Sequence, residues 1–142
     1  MKTIKALFLI FSIPVLLIAC SSEKHGTIDA STEEVQEMLD TGQTGFVLII
    51  DEKESQLLRN AEKALLEKEQ TALQFDVFRN DVSNENTDGL SNNPFRHMMP
   101  YVNTIYYIEK GNVVAEFSLE TSQQKHKKEL EEFIEIVGDS HE

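Results

Sequence analysis

The chain has 142 residues, 13 Lys and Arg against 25 Asp and Glu for a formal charge of −12, and a single cysteine. So acidic a surface repels phosphate backbones, which makes nucleic acid a poor partner, and one cysteine rules out an intrachain disulfide. The length fits one domain with a single core supplied by packing alone.

Lys2 and Lys5 form a short positive segment, and the stretch from Ala6 to Ala19 is apolar apart from Ser12 and Pro14. That is the pattern of a secretory signal. A membrane-spanning helix needs about 20 apolar residues, and the polar run from Ser21 to His25 stops this one short. The sequence Leu17-Ile18-Ala19-Cys20 resembles the bacterial lipobox. The resemblance implies cleavage after Ala19, acylation of Cys20 with palmitate-like chains, and residence on the extracytoplasmic face of the cell membrane. The competing reading is an ordinary signal peptide or an uncleaved anchor with an incidental cysteine. On the lipoprotein reading, 1–19 is the signal peptide, 20–27 a tether, 28–138 the folded domain and 139–142 a tail. From Cys20 onward, 123 residues carry 11 basic and 25 acidic side chains, a net charge of −14. Anionic headgroups repel that charge, so the membrane is held through the lipid on Cys20, at about 0.8 kcal/mol per buried methylene.

Thr27-Ile28-Asp29 reads as a short opening strand. Ser31-Thr32-Glu33-Glu34 is a capping-box pattern, and Val35, Met38 and Leu39 continue it at helical spacing until Gly42 supplies a left-handed stop. Phe46-Val47-Leu48-Ile49-Ile50 is a continuous apolar run, the mark of a strand covered on both faces. From Gln56 to about Gln70, residues Leu57, Leu58, Ala61, Ala64 and Leu65 share one face of a helix. A third strand is predicted over Leu73 to Phe78, leading into a polar segment rich in Asn, Asp and Ser. Val102 to Ile108, the turn Glu109-Lys110-Gly111-Asn112 and Val113 to Phe117 predict an antiparallel hairpin. Thr121 to Gln124 repeats the capping-box pattern, and Leu130, Phe133, Ile134 and Val137 form the stripe of a last helix ended by Gly138.

The order β-α-β-α-β, a connecting segment, then β-β-α implies a mixed sheet with helices on both faces. A capped helix before a buried strand, a long helix after it, and the segment Val102-Asn103-Thr104-Ile105-Tyr106-Tyr107-Ile108-Glu109-Lys110-Gly111 are together similar to the thioredoxin superfamily. The resemblance implies an α/β fold, a thioredoxin-like three-layer α/β/α sandwich with a mixed sheet. It also implies that the redox Cys-x-x-Cys of that family would fall within Asp51 to Leu57, and its cis-proline at Asn103. Thiol–disulfide chemistry needs a thiolate at a helix start and a second thiol to resolve the mixed disulfide. Neither sulfur is in the sequence at those positions, and a cis bond before a residue other than proline costs about 2.5–4 kcal/mol, so a trans bond is expected at Asn103.

Other candidates each carry a plain reading beside a chemical one. Asp51, Glu52 and Glu54 suit the positive end of a helix dipole, against a catalytic or cation-binding cluster. Ser55 suits a helix cap, against a nucleophile for which no Ser-His-acid motif exists. His97-Met98-Met99 offers imidazole and thioethers suited to copper, against loop-to-core packing. Asn84 to Gly89 mimics the first half of a calcium loop, but Phe95 stands where a bidentate glutamate is required. Lys125 to Lys128, followed by Glu129, Glu131 and Glu132, reads as the wet face of the last helix, against a docking patch. The expectation is a lipid-anchored, non-catalytic thioredoxin-like module with no cofactor and a protein or peptide partner. The alternatives are a copper carrier and a redox-associated accessory protein whose partner supplies both thiols.

Overall fold

The computed structural model describes residues 25–51, 56–78, 93–119 and 125–138. In chain order these form β1 (Gly26–Asp29), α1 (Thr32–Asp40), β2 (Gly45–Ile50), α2 (Gln56–Glu67), β3 (Thr71–Asp76), β4 (Thr104–Glu109), β5 (Asn112–Ser118) and α3 (Lys125–Gly138). The lipobox with Cys20, the acidic Glu52 and Glu54, Ser55, the calcium-like stretch 84–89 and the second capping box at 121–124 lie outside the described residues.

The five strands form one mixed sheet in the order β1-β3-β2-β4-β5. β1, β3 and β2 run parallel, whereas β4 is antiparallel to both β2 and β5. The all-apolar run of β2 fits its central place: Phe46 to Ile50 are all buried, alternating between the two faces. Each such side chain contributes about 1.5–3 kcal/mol relative to exposure. On one face Phe46, Leu48 and Ile50 meet Leu58, Ala61, Ala64 and Leu65 of α2 and Leu130 and Ile134 of α3. On the other, Val47 and Ile49 meet Val35, Met38 and Leu39 of α1 together with Phe95 and Met99. The result is a thioredoxin-like three-layer α/β/α sandwich, in which the segment around Phe95 and Met99 completes the layer begun by α1.

Local chemistry accounts for the element ends. The Ser31 hydroxyl accepts from the Glu34 N–H at 3.2 Å while the Glu34 carboxylate accepts from the Ser31 N–H at 2.7 Å, the reciprocal capping box. α2 stops at Glu67, short of the predicted Gln70, because Glu69 takes a left-handed φ of 53° and the Gln70 N–H closes back on the Leu65 carbonyl at 2.9 Å. β3 sits two residues earlier than the predicted Leu73–Phe78, so Phe78 falls beyond the strand and is exposed. β4 likewise starts at Thr104 and not Val102. β1 begins at Gly26, whose N–H donates to the Gln70 carbonyl at 2.8 Å. A bulge lies in β5, where Tyr107 pairs with Ala115 but Ile108 pairs with Val113. The extra Val114 reverses the alternation, so Val113 packs against the α1 side and Ala115 and Phe117 against the α2/α3 side.

Candidate functional site

The parallel strands bring the ends of β2 and β3 and the start of β4 to one end of the sheet, the place where open α/β sheets hold ligands. Asp51 follows β2 and opens the segment, Asp51 to Leu57, within which the resemblance places the redox Cys-x-x-Cys. Its N–H reaches the side-chain oxygen of Asn103 at 3.5 Å, a long and weak hydrogen bond across 52 residues of sequence. Asn103 takes a left-handed φ of 49°, which asparagine tolerates better than most residues. Its carbonyl accepts from the Leu119 N–H at 2.8 Å, tying the loop to the end of β5. The peptide bond at Asn103 is trans, and no cis bond occurs among the described residues.

The loop from Met99 to Asn103 is held from beneath. Tyr106, wholly buried, points its hydroxyl at Tyr101: it accepts from the Tyr101 N–H at 2.8 Å and donates to the Tyr101 carbonyl at 3.0 Å. Burial pushes the Tyr106 phenol up to about 12. Asn93, also buried, donates to the Met99 carbonyl at 2.7 Å and accepts from the Phe95 N–H at 2.9 Å. The Thr104 hydroxyl donates to the Val102 carbonyl at 3.0 Å. These clamps tie the Met99, Tyr101 and Val102 carbonyls and the Tyr101 N–H to the domain and leave Tyr101 60% exposed. At the same end of the sheet, past the end of β3, Phe78 is 65% exposed above a turn in which its N–H donates to the Asp76 carboxylate at 2.9 Å. This end of the sheet thus carries two exposed aromatic side chains, Tyr101 and Phe78, with the half-buried Asp51 and a loop tied to the core. Such a surface offers apolar contact and hydrogen bonding, with no sulfur nucleophile.

The other sequence candidates separate. Met99 is fully buried and Met98 partly buried in the same cluster, whereas His97 is exposed. The two methionines act as packing groups, and the triplet does not present three donors to one point. Among the described residues no group of three or more His, Cys, Asp or Glu side chains is placed to hold a metal ion. In the basic run of α3, His126 is nearly buried with its ring 4.7 Å from that of Phe117. Lys127 pairs with Glu131 at 3.1 Å and Glu67 at 3.6 Å, and Lys128 with Glu132 at 3.3 Å, so these lysines serve the α2/α3 surface.

Two depressions lie outside the loop. One, of about 210 Å³, is lined by Lys68, Gln70, Ile134 and Glu135; the other, open and of about 450 Å³, runs beside the exposed face of α1. Neither contains a residue of the loop. Sequence reasoning misses Tyr101, Tyr106 and Phe78 as members of the site. The adjacent Pro100-Tyr101 before a β-rich run is the available signal for the first, and the true end of β3 for the last. No protein-family model matches this chain, and no curated protein matches it.

Proposed function

We propose that this chain is an extracytoplasmic lipoprotein, anchored through acyl chains on Cys20, whose thioredoxin-like domain is a non-catalytic module binding a protein or peptide. One observation carries the reading: the only sulfhydryl of the chain is the one the lipobox would acylate, so the segment from Asp51 to Leu57 has no thiolate to offer, and Asn103 follows a trans bond. A rigid loop displaying Tyr101 supports binding, because aromatic side chains on a fixed backbone lose little entropy when covered. Fold alone assigns no activity, so the site must carry the argument.

The copper reading loses support from the burial of Met99, since that thioether would have to leave the core to reach a metal. The test has two parts. Mass spectrometry of the amino terminus from cells is expected to give an acylated Cys20, and an intact or unacylated terminus would sink the anchor. Crosslinking in cells through a photoreactive residue at Tyr101 is expected to capture a protein partner that is lost on Tyr101→Ala. Turnover in a thiol–disulfide exchange assay would overturn the non-catalytic reading.

A further inference from the structure

The sheet has two chemically distinct ends, and its registers say which residues belong to each. Gly26 pairs with Thr71, Phe46 with Ala72 and Gly45 with Ile108, so the entry to β1, the start of β2 and the Lys110–Gly111 turn share one end. Ile50 pairs with Asp76, Ile49 with Thr104 and Thr104 with Ser118, which puts Asp51, Phe78 and the Tyr101 loop at the other.

Gly26 is fixed in place where the chain enters the domain. Its N–H is bonded to the Gln70 carbonyl, its φ is +100°, and Leu66 lies 3.3 Å from where a Cβ would stand. Cys20 precedes it by six residues. A chain spans at most about 3.6 Å per residue, so Gly26 cannot lie more than about 22 Å from the acylated residue. β2 alone, with six residues, is about 17–20 Å long, and loops extend the domain beyond it at both ends.

From this geometry we infer that the domain sits with its Gly26 end toward the bilayer and holds the Tyr101, Phe78 and Asp51 surface away from it, an inference that rests on the lipid anchor proposed above. A tether of at most about 22 Å keeps the Gly26 end within that distance of the headgroups, whereas the far end stands a further β2 length, about 17–20 Å, along the strands. Lying on the α1 flank is opposed by charge, because α1 carries Glu33, Glu34, Glu37 and Asp40 and no cation. Anionic headgroups repel such a face within about a Debye length, near 8–10 Å. The end around Gln43, Thr44 and Asn112 carries the well-exposed Lys110 beside Glu109, with Asp40 at the close of α1 and Glu69 before β3, so what holds this end to the bilayer is the anchor and not charge. The occupant of the near end is therefore the surface of the bilayer that holds the acyl chains. The far end meets proteins of the extracytoplasmic phase, or the protruding parts of membrane proteins, and not lipid.

The test uses the full acylated protein in vesicles of phosphatidylethanolamine and phosphatidylglycerol containing a headgroup-attached quencher. Acylation blocks the thiol of Cys20, so a dye reports only from an introduced cysteine: Gln43→Cys at the near end, Tyr101→Cys or Ser118→Cys at the far end. Circular dichroism checks that each variant keeps its fold. The expected result is quenching several-fold stronger at Gln43 than at either far position. Equal or reversed quenching, with Cys20 shown acylated by mass spectrometry of the same sample, overturns the orientation and leaves the anchor standing. An unacylated terminus with no vesicle binding overturns the anchor and the orientation together. A long flexible insert between Ser22 and Glu23 is expected to abolish the difference, and its persistence would overturn tether length as the cause.

Discussion

Tyr106 links burial, hydrogen bonding and the display of the candidate site within one side chain. Replacing it with Phe keeps the ring in the core but strands both backbone groups of Tyr101, costing about 1–2 kcal/mol because water takes up part of the lost bonding at that exposed residue. Urea titration of Tyr106→Phe against the parent checks this. The same side chain sets an alkaline limit. Its phenol ionises near 10 in the unfolded chain and near 12 in the fold, where burial opposes the charge. The native state therefore holds the proton more tightly. Stability is full below pH 10 and falls as pH rises from 10 to 12, by up to about 3 kcal/mol. The fall should be smaller in Tyr106→Phe, and an unchanged alkaline profile would remove Tyr106 as its source. Asn103 gives a second test at this scale. With φ at +49°, it should accept Gly within about 0.5 kcal/mol, whereas Asn103→Pro demands a φ near −65° and should cost about 2 kcal/mol or more. A proline at this position would thus break this loop, and thermal melts of the two variants decide it.

The elements differ in how openly the sequence announces them. Ser31 and Glu34 are legible because a capping box is written in adjacent residues, and β2 because only a doubly covered strand tolerates five apolar residues in a row. The end of α2 is not legible, since Glu69 performs the left-handed turn that sequence reasoning looks for in Gly or Asn. The start of β3 is not legible, since Thr71 and Ala72 precede the apolar run, and the polar Gln74 is buried within the strand, its amide donating to the Asp29 carboxylate of β1 at 3.0 Å, a partner 45 residues away. The β4–β5 turn shows why a glycine can be both legible and indispensable. Lys110 and Gly111 both have positive φ, at 51° and 77°, and a Cβ on Gly111 would stand 2.2 Å from the Leu39 carbonyl oxygen at the end of α1. At Gly42, where φ is +69°, the nearest atom to an added methyl is an ordinary 3.7 Å away. Gly42→Ala should therefore cost about 1 kcal/mol of backbone strain alone. Gly111→Ala should cost at least about 1 kcal/mol more, because backbone must also move. Chemical denaturation of the pair separates strain from collision, and equal losses would deny the collision.

At the scale of the molecule, the site is only half legible, since a sequence gives no direct account of the fold that sets Asp51 beside Asn103. Charge, by contrast, can be read at once, and its consequence for stability depends on range. The chain from Cys20 onward carries −14, spread over the whole domain. Against this stand exposed pairs such as Lys63–Glu67 at 3.7 Å and Lys128–Glu132 at 3.3 Å, each weak because water screens it. Near 0.01 M salt the Debye length is about 30 Å, so every carboxylate feels most of the others, whereas near 0.15 M it is about 8 Å. Raising salt across that interval removes repulsion between distant charges but leaves contacts of 3–4 Å largely intact. The unfolded chain is more expanded and gains less from the screening. The folded domain should therefore become more stable by about 1 kcal/mol, a rise in melting temperature of roughly 4 °C, between 0.01 and 0.15 M sodium chloride. Differential scanning calorimetry reads the sign directly. A melting temperature that falls with salt would mean that the ion pairs of α2 and α3 outweigh the excess negative charge, and that the acidic surface does not limit the stability of this fold.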